Sequence, residues 1–449
     1  MKKGWQIKRI GDACDVIAGQ SPEGKFYNSE GSGLPFYQGK KDFGEKFIEA
    51  PTTWTMHTTK VAHEGDILMS VRAPVGPVNF ATGDVCIGRG LAAIRCGAEL
   101  NRDFLFYQLL HLQPEIAGKE GAVFASINKS EIEALSFAFA PLAEQQRIVG
   151  LLDEAFEGLA TAKANAEQNL QNARALFESH LQFVFAQRSA AGQEQENGPA
   201  RETFARAAAA DDAETVRLNA GHVTRTGGRE ATLRRIAGNL SLAVGMPSTG
   251  ARRGWRWSAL TELARLESGH TPSRRHPEYW GGSIPWIGIQ DARENHGQRI
   301  TDTLQKTNEA GIANSSARVL PENTVCLSRT ASVGYVVVMG RPMATSQDFV
   351  NWVCSGRLNP NFLKYLILAE GRDGLLRFAS GSVHQTIYFP EAKAFHICYP
   401  EPEEQLRIVA QCDEMREETR CLVRVYEQKL AALDALKKSL LHQAFAGAL

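Results

Sequence analysis

The sequence predicts an α+β protein with two tandem mixed α/β domains and two long helices that separate them and pack as an antiparallel coiled coil. Two stretches, 142–188 and 402–446, open with nearly the same residues, LAEQQRIV and PEEQLRIV. Apolar residues then recur in both at steps of three and four. The segments before them also repeat each other, so we expect an internal duplication with pseudo-two-fold symmetry.

The apolar steps place one stripe on a single face of each helix. The first stripe comprises Ile148, Leu152, Ala155, Leu159, Ala162, Ala166, Leu170, Ala173, Phe177, Leu181 and Val184. The second comprises Ile408, Cys412, Met415, Thr419, Leu422, Tyr426, Leu430, Leu433, Leu436 and Leu440. A helix of about 45 residues is roughly 65 to 70 Å long, more than a compact domain needs. Each helix is therefore expected to bury its stripe against the other; two unrelated surface helices are the alternative.

Positions for coiled-coil packing follow from these stripes and their openings. They are Gln145, Arg147, Ile148, Leu152, Leu159, Leu170, Phe177, Gln405, Arg407, Ile408, Leu422, Leu430, Leu433 and Leu440.

Length and composition favour two or three domains, because a domain averages about 150 residues. Fifty basic and fifty acidic residues cancel, so bulk charge does not indicate a nucleic-acid partner. The eight cysteines form no C-x-x-C pair, which favours reduced core thiols. The opening residues lack a signal peptide, and no apolar run has the length of a membrane span. We expect a soluble cytoplasmic protein without a membrane partner.

The duplication sets the domain boundaries. Gly19 and Gly269 match at an offset of 250, Ser70 and Ser328 match at 258, and the helices share 260. The predicted segments are the first globular domain (1–140), the first long helix (141–188), a flexible linker or insertion (189–253), the second globular domain (254–400) and the second long helix (401–449). The linker is rich in Ala, Gly, Arg, Glu and Thr. Phosphate contact is a less favoured role for its Arg234, Arg235, Arg252 and Arg253.

The sequence predicts no catalytic, cofactor-binding or metal site. No G-x-x-x-x-G-K-[ST] phosphate loop is present. The DEAF run from Asp153 resembles a helicase box, but it lies on the first long helix. The NPNF run from Asn359 resembles a methyltransferase tetrapeptide, but NRDF stands at the matching place in the first copy. The NRDF and NPNF runs each favour a helix start capped by Asn.

Residues suited to binding recur in turns instead. The candidates for DNA contact are Lys25, Gln38, Lys40, Lys41, Arg72, Arg274, Arg275, Gln290, Arg293 and Arg329, accompanied by the aromatic residues Phe26, Tyr27, Tyr279 and Trp280. Cationic groups neutralise phosphates, and Arg and Gln can bond bidentately to guanine or adenine edges. For each residue alone, a solvated surface role is the competing interpretation.

The chain resembles the specificity subunit of type I restriction-modification enzymes over nearly its whole length. The resemblance rests on the tandem architecture, the E-Q-x-R-I-V openings, the GDILxSxR run from Gly65, the IPW run from Ile284 and the LSRT run from Leu327. It implies that each globular domain is a target recognition domain that reads one half of a split double-stranded DNA site. It also implies that the helices separate the domains and that the helix positions given above serve coiled-coil packing or the docking of two modification subunits. This chain departs from the family pattern at 189–253, because in the family only a short segment ordinarily connects the first long helix to the second domain.

Catalysis belongs to the partners in this family. The resemblance implies that S-adenosylmethionine, ATP and Mg serve the modification and restriction subunits and that this chain binds no cofactor. Two rival hypotheses remain at this point. One is a coiled-coil scaffold with duplicated protein-binding domains, and the other is a methyltransferase with its own cofactor site.

Overall fold

A computed structural model describes residues 4–117, 126–186, 215–217, 232–381 and 384–446. The chain divides into two compact units. The first unit is Met1–Leu170 with Val425–Leu449, and the second is Gln171–Arg424. Most of the predicted linker, 187–214 and 218–231, lies outside the described residues.

The first unit contains eleven described strands in three sheets, ordered β1-β11, β2-β10-β7-β8 and β3-β5-β4-β9-β6. The strands are β1 (Gln6–Arg9), β2 (Cys14–Ala18), β3 (Tyr27–Asn28), β4 (Leu34–Tyr37), β5 (Trp54–Thr55), β6 (Val61–Ala62), β7 (Ile67–Ser70), β8 (Val78–Phe80), β9 (Val85–Ile87), β10 (Leu91–Cys96) and β11 (Ser136–Phe139). The helices that begin here are α1 (Ile10–Ala13), α2 (Arg102–Ile116), α3 (Lys129–Glu133) and α4 (Leu142–Phe185).

The second unit has sheets ordered β14-β15-β25-β16, β17-β24-β21-β22-β19, β20-β18-β23 and β12-β13. Its strands are β12 (Thr215–Arg217), β13 (Thr232–Arg234), β14 (Ile236–Ala237), β15 (Leu242–Val244), β16 (Trp255–Ala259), β17 (Ala264–Ser268), β18 (Trp280–Ile287), β19 (Arg299–Ile300), β20 (Gln305–Thr307), β21 (Val325–Ser328), β22 (Val336–Met339), β23 (Ala344–Thr345), β24 (Phe349–Cys354) and β25 (Phe395–Pro400). Its helices are α5 (Ile289–Glu294), α6 (Glu309–Ala313), α7 (Pro360–Leu376), α8 (Phe389–Lys393) and α9 (Pro402–Ala446).

The turn after β7 shows that the two units repeat the same local structure. The N–H of Gly76 donates to the carbonyl of Ser70 at 3.0 Å, and that of Gly334 donates to Ser328 at 3.1 Å. The glycines have φ angles of 106° and 110°, which side chains rarely tolerate. The offset of 258 read from the sequence is confirmed by this turn.

A buried glutamine fastens each long helix to its own domain. The Gln145 amide oxygen accepts from the N–H of Asn101 at 2.7 Å, and its nitrogen donates to the carbonyl of Ala140 at 2.7 Å. Gln405 is bonded in the same way to Asn359 (2.8 Å) and Pro400 (2.9 Å). Both glutamines have no exposed surface. Their side chains therefore join helix to domain and leave no surface for subunit docking.

The same asparagines cap the helices that follow β10 and β24. The Asn101 side chain accepts from the N–H of Phe104, and Asn359 accepts from that of Phe362. This confirms the expectation that both sequence runs mark capped helix starts.

A tyrosine forms a second link between each long helix and its domain. Tyr107 donates to Asp153 on α4, and Tyr365 donates to Asp413 on α9. Burial, and next the hydrogen bond to the aspartate, raise the pKa of both tyrosines. Asp153 also accepts from Lys46 at 3.1 Å, so the DEAF run serves packing within the first unit.

The predicted stripe of α4 is confirmed, because all eleven of its positions are buried or half-buried. In the first unit α4 runs antiparallel to α9. Ile148 and Leu152 share a core with Leu441, while Lys163 pairs with Asp434 at 3.0 Å. Further along α4, Leu159 and Leu170 are half-buried, as are Phe177 in the second unit and Leu430, Leu433 and Leu440 on α9.

The stripe of α9 is wrong at Leu422 and Leu436, which are 40% and 47% exposed. The half-buried positions are their neighbours Val423 and Lys437. In a helix of 3.6 residues per turn, the next residue on the same face lies three or four positions further on. After Thr419 and Leu433 the buried face continues four positions on, whereas the leucines that the prediction chose lie three positions on.

The end of the predicted linker is also corrected, because residues 236–244 form a hairpin in the core of the second unit. Leu242 on β15 is buried and pairs with Ile397 on β25. The buried Glu370 carboxylate accepts from three hairpin N–H groups, those of Asn239, Leu240 and Leu242. The apolar run of this hairpin is too short to show a period in the sequence.

This hairpin covers a sheet edge that a side chain covers in the first unit. The N–H of Cys398 on β25 donates to the carbonyl of Ser241 at 2.9 Å. At the matching place on β11, the N–H of Ala138 donates to the Gln108 side-chain oxygen at 3.0 Å, and the Gln108 nitrogen donates back to Ala138. Leu366 stands where Gln108 would fall, at the offset of 258.

Arg252 likewise belongs to the second unit rather than to a linker. Its guanidinium lies 3.6 Å from the ring centroid of Trp255 and donates to the carbonyl of Val184 at 2.7 Å. Cations at a helix C-terminus satisfy its free carbonyl groups. Arg252 therefore caps the C-terminal end of α4.

We predict that Gln145→Ala lowers the free energy of unfolding by about 2–5 kcal/mol, because it leaves a buried N–H and a buried C=O without partners. Urea unfolding of the full chain is the measurement. The control is Gln146→Ala, on the same turn but exposed, with an expected change within about 0.5 kcal/mol. Equal effects of the two substitutions would contradict the role given to Gln145.

Candidate nucleic-acid interface

Four loops of the first unit meet at one edge of its sheets. The N–H of Gln20 donates to the carbonyl of Ile87 at 3.0 Å, and the N–H of Gly88 donates to that of Tyr37 at 2.8 Å. The N–H of Ile87 itself donates to Lys60 at 2.9 Å. We call these loops the first loop edge: residues 19–28, 37–42, 56–60 and 87–90.

The second unit joins the equivalent loops with the equivalent bonds. The N–H of His270 donates to the carbonyl of Thr345 at 2.8 Å, and the N–H of Ser346 donates to that of Ile287 at 3.0 Å. These residues stand at offsets of 250 and 258 from their counterparts in the first unit. We call these loops the second loop edge: residues 269–276, 287–293 and 345–348.

One glycine in each unit permits this close approach. A Cβ at Gly19 would lie 2.2 Å from the carbonyl oxygen of Gly88, and a Cβ at Gly269 would lie 1.8 Å from that of Ser346. Both distances are far below van der Waals contact. The loops therefore hold their position only while these residues lack side chains.

The first loop edge is cationic. Lys25, Lys40 and Lys41 are exposed there, as are Lys60 and Arg89, which the sequence analysis missed. Lys25 pairs with Glu23 at 2.6 Å, and Lys41 lies 3.9 Å from Asp42. Gln38 is exposed beside them. Clustered cationic side chains on one face are the electrostatic footprint of a phosphate backbone.

Aromatic rings stiffen this edge. Phe26 stacks on His57 with centroids 5.0 Å apart, and Tyr27 stacks on Phe36 at 4.7 Å. The Lys25 ammonium lies 5.0 Å from the Phe26 centroid. Since both aromatic residues are half-buried, their first effect is to hold the turn that carries Lys25.

The second loop edge carries arginines. Arg274 lies 4.4 Å from the Trp280 centroid and donates to the Gln305 side chain at 2.8 Å. Arg275 and Arg293 are exposed. Gln290 is also exposed and donates to Glu294 of its own helix at 2.9 Å. Tyr279, half-buried, stacks on His276 at 4.9 Å.

Arg72 and Arg329 differ in accessibility. Arg72 is exposed, whereas Arg329 is half-buried, with its guanidinium 5.3 Å from the Phe389 centroid. Burial lowers the pKa of Arg329. Its backbone bond to Asp348 matches that of Val71 to Gly90, so Arg329 is the counterpart of Val71 rather than of Arg72. DNA contact by either arginine stays a prediction.

Arg147 and Arg407 occupy equivalent exposed positions on α4 and α9. Each forms an ion pair one helical turn away, Arg147 with Glu144 at 2.8 Å and Arg407 with Glu404. The pairs leave both guanidinium groups at the helix surface.

Two further pairs of exposed loop-edge residues stand at the offsets of the duplication and are not among the sequence candidates. Gln20 and His270 form one such pair, and Arg89 and Gln347 form the other. The sequence candidates come from runs of basic and aromatic residues, and single exposed side chains in short loops fall outside such runs.

The described ranges also bear on metal binding and on membrane spans. These ranges contain no group of three or more His, Cys, Asp or Glu side chains arranged to hold a metal ion. Within the same ranges, every helix is too short or too polar to cross a bilayer.

Comparisons with known proteins agree with the duplication. A family model described as the type I restriction modification DNA specificity domain matches residues 2–171 and 252–419. A Methanocaldococcus jannaschii protein named as a candidate type I restriction enzyme MjaX specificity subunit is 39% identical over 174 residues, which is 38% of this chain. The type I restriction enzyme MjaIX specificity subunit of the same organism is 30% identical over 155 residues, or 34% of this chain. The matches span 40% and 36% of those relatives' own length.

Two solved structures share the fold over the whole chain. One, from a study of complex assembly and conformational transition in the type I R-M system, has a TM-score of 0.71 and 18% identity, and covers 100% of this chain and 99% of that one. The other, the HsdS subunit from Thermoanaerobacter tengcongensis, has a TM-score of 0.56 and 17% identity, and covers 100% and 98%.

We predict that Gly19→Ala forces apart the loops that contain residues 19 and 88 and lowers the free energy of unfolding by about 1–3 kcal/mol. The reason is that the added methyl group would overlap backbone atoms of the neighbouring loop, which cannot move aside without breaking their own contacts. Gly24→Ala is the control, since nothing lies within 4 Å of a Cβ there. Thermal unfolding of both variants is the measurement. A neutral Gly19→Ala would mean that the loops move apart without cost.

Proposed function

Because this chain belongs to the type I restriction modification DNA specificity family, we propose that it is the DNA-recognition subunit of a type I restriction-modification complex. In this role it reads a bipartite double-stranded DNA site, one half-site with each loop edge. It lends sequence specificity to partner enzymes and performs no catalysis itself.

The observation that carries the proposal is the pair of loop edges. Both are framed by the same backbone bonds, and both are lined by exposed cationic side chains. Cationic groups fix the register of a duplex through its phosphates, whereas different side chains on a common frame suit two different half-sites. Bulk neutrality does not oppose this, because a small cationic surface can be offset by acidic residues elsewhere in the chain.

The partners follow from the same proposal. Two modification subunits dock on the surfaces of the long helices, where Arg147 and Arg407 provide equivalent exposed positions, and restriction subunits join through them. S-adenosylmethionine, ATP and Mg act in those partners and not in this chain. The complex works in the cytoplasm, where its DNA substrate lies.

We predict that the complex of this chain with its modification subunits retains one bipartite DNA sequence, with an affinity that falls linearly in log–log salt plots. The slope should be roughly −0.9 for each phosphate neutralised. Filter retention between 50 and 200 mM salt is the measurement, with a scrambled duplex as the control. Retention that ignores both sequence and salt would favour the protein-binding scaffold.

We further predict that replacing residues 1–140 with the first domain of another family member changes one half of the methylated motif only. Distant sites share few contacts, so their energies add. Long-read methylation sequencing of DNA from cells that contain the modification subunit is the measurement. A change in both halves together would exclude independent reading.

A further inference from the structure

We infer that Arg89 and Gln347 are equivalent base-reading positions, with Arg89 selecting a guanine in one half-site and Gln347 an adenine in the other. The inference rests on the proposed function and adds to it the residues and the bases. Neither residue belongs to a run of basic or aromatic side chains.

Equivalence is the first step, and it rests on the same two loops being joined by a hydroxyl hydrogen bond in both units, to the backbone of Arg89 in the first and to the side chain of Gln347 in the second. The N–H of Arg89 donates to the Ser21 hydroxyl at 3.2 Å. In the second unit the Thr271 hydroxyl donates to the Gln347 side chain. Ser21 and Thr271 are 250 residues apart, and Arg89 and Gln347 are 258 apart, the offsets that relate the two loop edges. The same pair of loops therefore presents one side chain in each unit.

Rigidity is the second step. Arg89 stands in a loop of three residues between β9 and β10, with Gly88 bonded to Tyr37 and Gly90 bonded to Gln38 at 3.2 Å. A Cβ at Gly90 would lie 2.4 Å from the Gln38 carbonyl oxygen. Gln347 stands in the matching loop between β23 and β24. A side chain on such a short, bonded loop is positioned before it meets a ligand, which lowers the entropy lost on binding.

Availability is the third step. Arg89 is exposed, and its guanidinium has no hydrogen bond or ion pair with any residue in the described part of the chain. Two of the neighbouring cations, Lys25 and Lys41, differ from Arg89 because each lies beside an acidic group. Gln347 is also exposed. Its bond from Thr271 orients the amide, whose nitrogen can still donate.

The chemistry of the two side chains then selects the bases. An arginine presents two parallel N–H donors that match the O6 and N7 acceptors of guanine in the major groove. A glutamine presents one acceptor and one donor, which match the N6 donor and N7 acceptor of adenine. A cation neutralises a phosphate, whereas a neutral amide does not, so the change from Arg89 to Gln347 fits base reading better than a phosphate contact common to both units.

The test measures base preference in the full complex with its modification subunits. The wild-type motif is first read by long-read methylation sequencing. Duplexes carrying each of the four bases at each specified position are then ranked by relative affinity. We expect Arg89→Gln to abolish a guanine preference of roughly 5- to 150-fold at one position and to leave the other half-site unchanged. Gln347→Arg should replace an adenine preference by guanine at one position of the other half-site.

Lys129→Gln provides the charge control, because Lys129 lies in α3 of the first unit, outside the loop edge. It should change no base preference. A uniform loss of affinity for all duplexes in Arg89→Gln would identify a phosphate contact and overturn the inference. So would an unchanged preference at every position in both variants. A wild-type complex that yields no bipartite motif would instead refute the proposed function, so the two failures are distinguishable.

Discussion

The buried amides of Gln145 and Gln405 are the interaction on which the rest of the structure depends. Each is sealed from water, and each bonds a carbonyl just before its helix and the N–H of the residue that caps a second helix of the same unit. A glutamine amide satisfies donor and acceptor together, so neither buried group costs the free energy of an unmade bond. The orientation of each long helix is thereby fixed to its own domain.

This fastening gives the duplication its physical meaning. The glutamine lies within the E-Q-x-R-I-V run, and Arg147 and Arg407 follow two residues later at the surface. One short run therefore joins the helix inward to a domain and presents a charged group outward. Both roles need particular side chains, so this run tolerates few substitutions. The stripe beyond it needs only apolar side chains of suitable size at the helical spacing.

The sequence was sufficient to predict what depends on periodicity and repetition. The offsets of 250, 258 and 260 located both domains and the asparagine caps, and apolar periodicity located both long helices. It was insufficient where a tertiary contact decides, as with Leu422, which a four-residue step turns outward, and with the hairpin at 236–244. That hairpin is stabilised by Glu370, which is more than a hundred residues away in the chain. No local sequence pattern predicts a contact between segments so far apart. For the candidate interface, composition located the cationic turns but not the single side chains of the short loops.

The two sheet edges show how a duplicated domain diverges without losing its frame. An unpaired strand edge exposes N–H and C=O groups that invite wrong pairing. Gln108 closes the edge at Ala138 with a side chain, whereas residues 236–244 close the edge at Cys398 with a strand. Both solutions satisfy the same backbone groups at the same place. Since the frame tolerates such different solutions even in its core, the exposed loop positions, which carry fewer packing constraints, are freer still to change their chemistry between the two halves.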